Sequence, residues 1–213
     1  MRSTLMKTLI LCATTATIAA AATASASASQ WYVGGKALTG STKLATTAKV
    51  EEAITFSAPS LGLKIACTSV NLVSPEITAP GSLKAEEETY LGGCKAPEGP
   101  KGCTVVQERG EPFAGLAGTA VLGTAPEDTL ELKSPEASAF IVFELAECGS
   151  LDGQTAFTGK VPFSMSTGQT ESVEQTLVGP GTKSTSLKYE GNVVYVTGKF
   201  KLKLASGSKW SFH

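Results

Sequence analysis

The stretch Val194-Tyr195-Val196-Thr197-Gly198-Lys199-Phe200-Lys201-Leu202-Lys203-Leu204 decides the fold class. Its apolar residues and its glycine fall on the even positions, while Tyr195, Thr197 and three lysines fall on the odd ones. That period of two is the mark of a β-strand, whose successive side chains leave opposite faces. The even row therefore faces a core and the odd row faces water. At about 3.3 Å per residue the stretch reaches roughly 36 Å, beyond the usual strand of about five or six residues, so it is expected to span a whole sheet.

The same patterning extends outward along the chain. Residues 50–56 put Ile54 and Phe56 on one face, and residues 61–67 alternate Leu61, Leu63, Ile65 and Cys67, so Cys67 points inward. Trp31-Tyr32-Val33-Gly34-Gly35-Lys36-Ala37-Leu38 has a hairpin signal in its two glycines. A matching aromatic end stands at Lys209-Trp210-Ser211-Phe212-His213. The terminal strands are expected to pair in one core, because each tryptophan needs an apolar surround and a partner for its indole N–H; exposed binding tryptophans are the alternative.

Residues 83–91 balance helix against strand. Ser82 as a cap, the run from Ala85 through Glu88 and Gly92 as a stop favour a helix, whereas Thr89, Tyr90 and Leu91 are β-prone. The strand is preferred, because a hairpin there brings Cys94 to Cys103. Further strands are expected at 116–123, 129–132 and 139–145, with Pro126 and Pro135 as punctuation. The third of these has apolar residues on both faces, which places it centrally or between layers. Residues 157–165 alternate Gly159, Val161, Phe163 and Met165, and Pro162 makes that strand an edge or a bulge. Residues 167–186 are polar and lead through residues 187–189 and the turn Glu190-Gly191-Asn192 into the long strand. Roughly ten strands with hardly any helical period predict an all-β fold, an antiparallel two-sheet β-sandwich, with a closed β-barrel as the alternative.

The chain opens with a secretory leader: Arg2 and Lys7, an apolar run over residues 9–22, and small-residue cleavage sites at Ala24-Ser25-Ala26 and Ala26-Ser27-Ala28. Residues 1–28 are expected to be removed on export, Cys12 with them, leaving residues 29–213 as a single secreted or envelope-associated domain. No later segment has the roughly 18 unbroken apolar residues of a spanning helix. Loss of Arg2 and Lys7 leaves 16 basic against 19 acidic residues, a net charge of −3 that does not call for nucleic acid.

Four cysteines survive cleavage, and an even count in an exported chain reads as disulfides. Of the three connectivities, Cys94 with Cys103 is preferred, because it closes the Pro/Gly-rich turn over residues 95–102; Cys67 then joins Cys148 across about 80 residues. On the chain-entropy model the long loop contributes roughly 4 kcal/mol and the short one about 2 to 3. A zinc site of four cysteines lacks the closely spaced pairs that such sites use.

Ile65-Ala66-Cys67, Leu91-Gly92-Gly93-Cys94 with Cys103, Leu116-Ala117-Gly118, Leu130-Glu131-Leu132-Lys133-Ser134-Pro135, Phe140 through Phe143 with Cys148, and Thr158-Gly159-Lys160-Val161 form an ordered set. It resembles a family of secreted actinobacterial proteins that carry the same succession and have no assigned function. The resemblance covers about residues 60–165 and implies export, bridged cysteines and a β domain. It transfers no active site. The chain departs from the succession in its spacing after Phe143, where four residues precede Cys148.

No catalytic, cofactor or metal signature stands out. His213, the one histidine, is the last residue, where a triad imidazole would lack rigid support. Glu51-Glu52, Glu86-Glu87-Glu88, Asp128 and Asp152 occur in no motif, although a carboxylate-dependent hydrolase needs no histidine. The Asp/Asn-rich loops of calcium sites are missing. Lys199, Lys201 and Lys203 form a row that serves either as a docking strip for a cell-wall polyanion or as a solvated face that deters edge pairing. With two Asn, two Asp and two Trp the chain has poor stock for a lectin-like site. The expectation is therefore a secreted, non-enzymatic β domain that binds a cell-wall polymer or another surface protein, or acts structurally. The alternatives are a secreted carboxylate-dependent hydrolase and a β-barrel carrier of a small apolar ligand. The carrier would show a cavity lined by even-numbered residues of the long strand.

Overall fold

Alternation and glycine turns produce strands almost throughout the computed structural model, which describes residues 30–85, 90–106, 116–121, 128–133, 139–166, 168–182 and 186–213. Residues 1–28, expected to be a leader, and the Glu86-Glu87-Glu88 run lie outside the described residues. The chain enters through β1 (Trp31–Val33), β2 (Lys36–Ala37), β3 (Ser41–Lys43) and the 12-residue β4 (Thr47–Ala58), then β5 (Leu63–Cys67). Short strands follow: β6 (Ser69–Asn71), β7 (Glu76–Thr78), β8 (Ser82–Ala85), β9 (Tyr90–Gly92), β10 (Lys95–Glu98) and β11 (Thr104–Val106). Next come β12 (Leu116–Val121), β13 (Thr129–Lys133), β14 (Ile141–Ala146), β15 (Gly153–Phe157) and β16 (Lys160–Met165). The chain ends in β17 (Glu174–Val178), β18 (Lys188–Tyr189), β19 (Asn192–Val193), β20 (Tyr195–Lys203) and β21 (Trp210–Phe212).

The fold is all-β and antiparallel. One large sheet runs β10-β5-β4-β20-β17-β16-β13-β12-β8-β7-β3. It curls until Leu44, just past β3, bridges Leu204, just past β20. The Ala45 N–H donates to the Lys203 carbonyl and the Ala205 N–H to the Lys43 carbonyl, both at 2.9 Å. The eight strands from β20 round to β3 thus meet themselves, while β5, β6, β9 and β10 hang from β4 as a wing. The small β11-β14-β15 sheet lies against that wing as a second layer, with Phe143 and Phe157 at 5.5 and 5.8 Å from Phe56 of β4, ring centre to ring centre. A sandwich and a half-barrel therefore share one core.

β20 follows its sequence pattern: Val196, Phe200 and Leu202 are buried, and Thr197 and Lys203 are exposed. Its register on β4 slips at Gly198, since Thr197 faces Thr55 but Lys199 faces Glu52. The slip needs Gly198, which has φ +118° and lies so close to β4 that a Cβ would press into the Ala53 carbonyl. β14 is the middle strand of its sheet, as its two apolar faces require. Pro162 faces Glu131 on one side, and on the other side pairing to β17 begins only at Ser164, so the residue that cannot donate sits where the ladder is one-sided.

The terminal strands pair, with Trp31 opposite Phe212. Both tryptophans are buried, with ring centres 5.5 Å apart, and their indole N–H groups donate to the carbonyls of Ser82 at 3.0 Å and Val173 at 3.3 Å. Backbone bonds from Trp31 to Pro80, Trp210 to Ser172 and Phe212 to Gly168 fix this ribbon to the β7-β8 and β16-β17 turns, closing one mouth of the curl.

Two expectations are corrected. The disulfides are Cys67–Cys94 and Cys103–Cys148, with sequence separations of 27 and 45, rather than Cys94–Cys103 and Cys67–Cys148. β9 returns to pair with β6, which sets Cys94 beside Cys67, and β11 pairs with β14, which sets Cys103 beside Cys148. Residues 95–98 form β10 on β5 rather than the limb of a Cys-closed turn. The polar segment 167–186 also contains β17, an interior strand of the large sheet between β16 and β20.

Candidate functional site

Where the curl meets the wing, apolar residues alternate inward from several strands and leave a cavity of ≈ 60 Å³. Phe200 and Leu202 come from β20, Leu130 and Leu132 from β13, and Ile54 and Phe56 from β4. Each pair is two residues apart on its strand, so one face of each strand lines the space. β6, β8, β9 and β16, with Leu72 and Phe140 beside them, complete the wall, and every lining residue is apolar. Phe163 and Phe200 meet edge to face at 5.3 Å. An unfilled space of this volume costs on the order of 1.5 kcal/mol relative to a filled core. Such a space, with no polar partner for water, favours a dry interior or an apolar guest.

The lysine row lies on the opposite face of β20. Lys201 Nζ is 2.7 Å from Glu51 Oε1 and 3.6 Å from Glu174 Oε2, and Lys199 Nζ is 3.1 Å from Glu51 Oε2. Glu52 stands opposite Lys199, and Glu174 opposite Lys203. The hydrogen bond from Lys201, and next that from Lys199, hold the Glu51 carboxyl below its ordinary value, while Glu51 raises the Lys201 ammonium. The three lysines, with Lys49 opposite Lys201, thus share a face with Glu51, Glu52 and Glu174, so the charge there is mixed. Only the register of β4 on β20 reveals this. Glu51-Glu52 carries no motif in the sequence.

His213 is pinned rather than loose: its backbone N–H donates to Gln30 at 3.0 Å and its ring meets Tyr32 edge-on at 4.8 Å. Its Nε2 lies 3.0 Å from Ser211 Oγ, because residues two apart share a strand face. A serine nucleophile needs access to substrate and a third group to orient the imidazole, whereas Ser211 is fully buried. The pair closes the terminal ribbon.

Four carboxylates among the described residues are engaged in the architecture. Asp152 accepts the Cys148 N–H, buried Asp128 meets Gln169 Nε2 at 3.3 Å, and Glu51 and Glu174 converge on Lys201 on the outer face of the sheet. Cys67, Cys94, Cys103 and Cys148 are all in disulfides, and among the described residues no group of three or more His, Cys, Asp or Glu is placed to hold a metal ion. Nor is any helix among them long and apolar enough to cross a membrane. Compared with protein-family models, with curated proteins and with solved structures, the chain matches none.

Proposed function

We propose that the chain is exported by its leader, matured at about residue 29, and works outside the cytoplasm as a non-enzymatic β domain that binds the cell wall. The observation that carries this reading is the pair of disulfides, Cys67–Cys94 and Cys103–Cys148, since such bridges form and persist in oxidising compartments. The resemblance to secreted actinobacterial proteins supports the same placement. Because Lys199 is paired with Glu51 and Lys201 with both Glu51 and Glu174, wall association is expected to rest on shape and apolar contact more than on charge.

The test is expression of the full chain followed by fractionation, and co-sedimentation of the oxidised product with cell walls of the producing organism. The expected result is a cleaved, extracytoplasmic product that sediments with walls at high salt and is released on reduction. An uncleaved cytoplasmic product overturns the export, and a product that stays in the supernatant overturns the wall partner.

A further inference from the structure

The two disulfides are not equivalent. Cys67–Cys94 lies inside the wing, with both residues buried at 0% and 7% exposure. In Cys103–Cys148 only Cys148 is fully buried, while Cys103 is half-buried at the entry to β11, the three-residue edge strand of its sheet. A Cβ on the exposed Gly99 would lie 3.2 Å from Cys103 Sγ, so the missing side chain leaves that flank of the sulfur uncovered. Thiol–disulfide exchange needs access to one sulfur, and of the four an incoming thiolate reaches Cys103 Sγ first.

The buried partner is placed to leave. Cys148 Sγ is 3.2 Å from the Ala146 carbonyl oxygen and 3.8 Å from that of Thr104, so a thiol released there has an acceptor at once. Glu147 beside it holds a left-handed φ of +59°, uncommon for a residue with a Cβ, so backbone strain is stored next to the bridge.

What this bridge holds is the second layer. Residues 99–103 run on from β10, so the bridge ties the end of β14 to the wing through a few residues. Once it opens, the layer rests on the wing by packing, with Phe143 and Phe157 against Phe56. That interface has a flaw. Thr155 shares a strand face with Phe157, and its hydroxyl is buried with no hydrogen-bond partner. The unpaired group penalises the closed form and is satisfied when water enters, which favours separation.

We propose that Cys103–Cys148 is a thiol-exchange latch on the β11-β14-β15 layer, opened by a dithiol reductant while Cys67–Cys94 stays closed. A thiolate of the reductant bonds to Cys103 Sγ, the protein S–S bond breaks, and its electron pair leaves on Cys148 Sγ, which takes a proton. The second thiol of the reductant loses its proton and attacks the reductant sulfur of the mixed disulfide. Cys103 leaves as a thiolate and is protonated, so the bridge is reduced and the dithiol is oxidised to its own disulfide. The layer then lifts from the wing and bares Phe56, Phe143 and Phe157. The latch is independent of the wall partner proposed above.

The experiment exposes the oxidised mature chain to dithiothreitol without denaturant, quenches aliquots with N-ethylmaleimide and maps the labelled cysteines. Cys103 and Cys148 are expected to label about tenfold or more faster than Cys67 and Cys94. With the monothiol 2-mercaptoethanol the trapped adduct is expected on Cys103. In the singly reduced chain, amide hydrogen exchange is expected to rise about tenfold or more over residues 141–146 and 153–157, with residues 196–202 protected as in the parent. Equal reduction of the two bridges, an adduct on Cys148, or unchanged exchange in β14 and β15 would overturn the proposal.

Discussion

Leu44 and Leu204 oppose one another across the antiparallel bridge at which the large sheet meets itself, and both side chains are buried. Each replacement by alanine is expected to lower stability by about 2 to 5 kcal/mol. Because the two side chains share one junction, their costs are expected to couple by about 0.5 to 3 kcal/mol. Urea midpoints of Leu44→Ala, Leu204→Ala and the double variant measure this. Strictly additive costs would mean that the bridge does not close the curl.

Gly198 and Gly191 both have positive φ, +118° and +81°, but only Gly198 has a neighbouring strand where its Cβ would go. Gly191→Ala is expected to cost about 1 to 2 kcal/mol from backbone strain alone. Gly198→Ala is expected to cost clearly more, because β4 must move as well. Equal unfolding midpoints for the two variants would show that the β4-β20 register is different.

The Glu51 carboxyl is expected to titrate below the ordinary carboxylate range in a side-chain carboxyl NMR titration. Lys201→Met is expected to move it back upward further than Lys199→Met, since the Lys201 hydrogen bond is the larger cause. A depressed folded-state value means that the stabilisation from Glu51 is present above the unfolded carboxylate value and is lost as pH falls through the folded one. For Lys201 the folded value is raised, so its share is present below the ordinary lysine value and is lost as pH rises through the raised one. Glu51→Gln is expected to weaken both limbs; an unchanged pH profile would contradict the pairing.

Cys103→Ala with Cys148→Ala opens a loop of 45 residues and is expected to cost about 4 kcal/mol on the chain-entropy model. The same change at Cys67 and Cys94 opens a loop of 27 and is expected to cost about 3.5 kcal/mol. Denaturant unfolding of the two variants checks the values. A variant of either pair as stable as the parent would show that its bridge is not formed.

How much was legible in the sequence depends on how local each feature is. β20, the Gly34-Gly35 hairpin and the paired tryptophan ends were readable, because alternation and turn chemistry act within a few residues. β17 was not, because it buries polar residues: the Gln175 amide donates to the Thr170 carbonyl at 3.1 Å and also to Trp210, and Thr176 is buried beside it. Burial satisfied by hydrogen bonds has no hydropathy signal. The cysteine pairing failed for a different reason. Proximity in sequence favoured Cys94 with Cys103, whereas the non-local registers of β9 on β6 and β11 on β14 decide the bridges. The cavity was half legible, through Phe200 and Leu202, while Leu91 and Phe140 join it only through tertiary packing.

The most direct measurement is a non-reducing tryptic map of the exported chain with its free thiols blocked. Cleavage after Lys95 and Lys101 separates Cys94 from Cys103, so each disulfide appears as its own cross-linked peptide pair. The expected result is an N-terminus near residue 29 with Cys67 joined to Cys94 and Cys103 joined to Cys148. Blocked thiols at these cysteines, or Cys94 joined to Cys103, would contradict an exported domain of this fold.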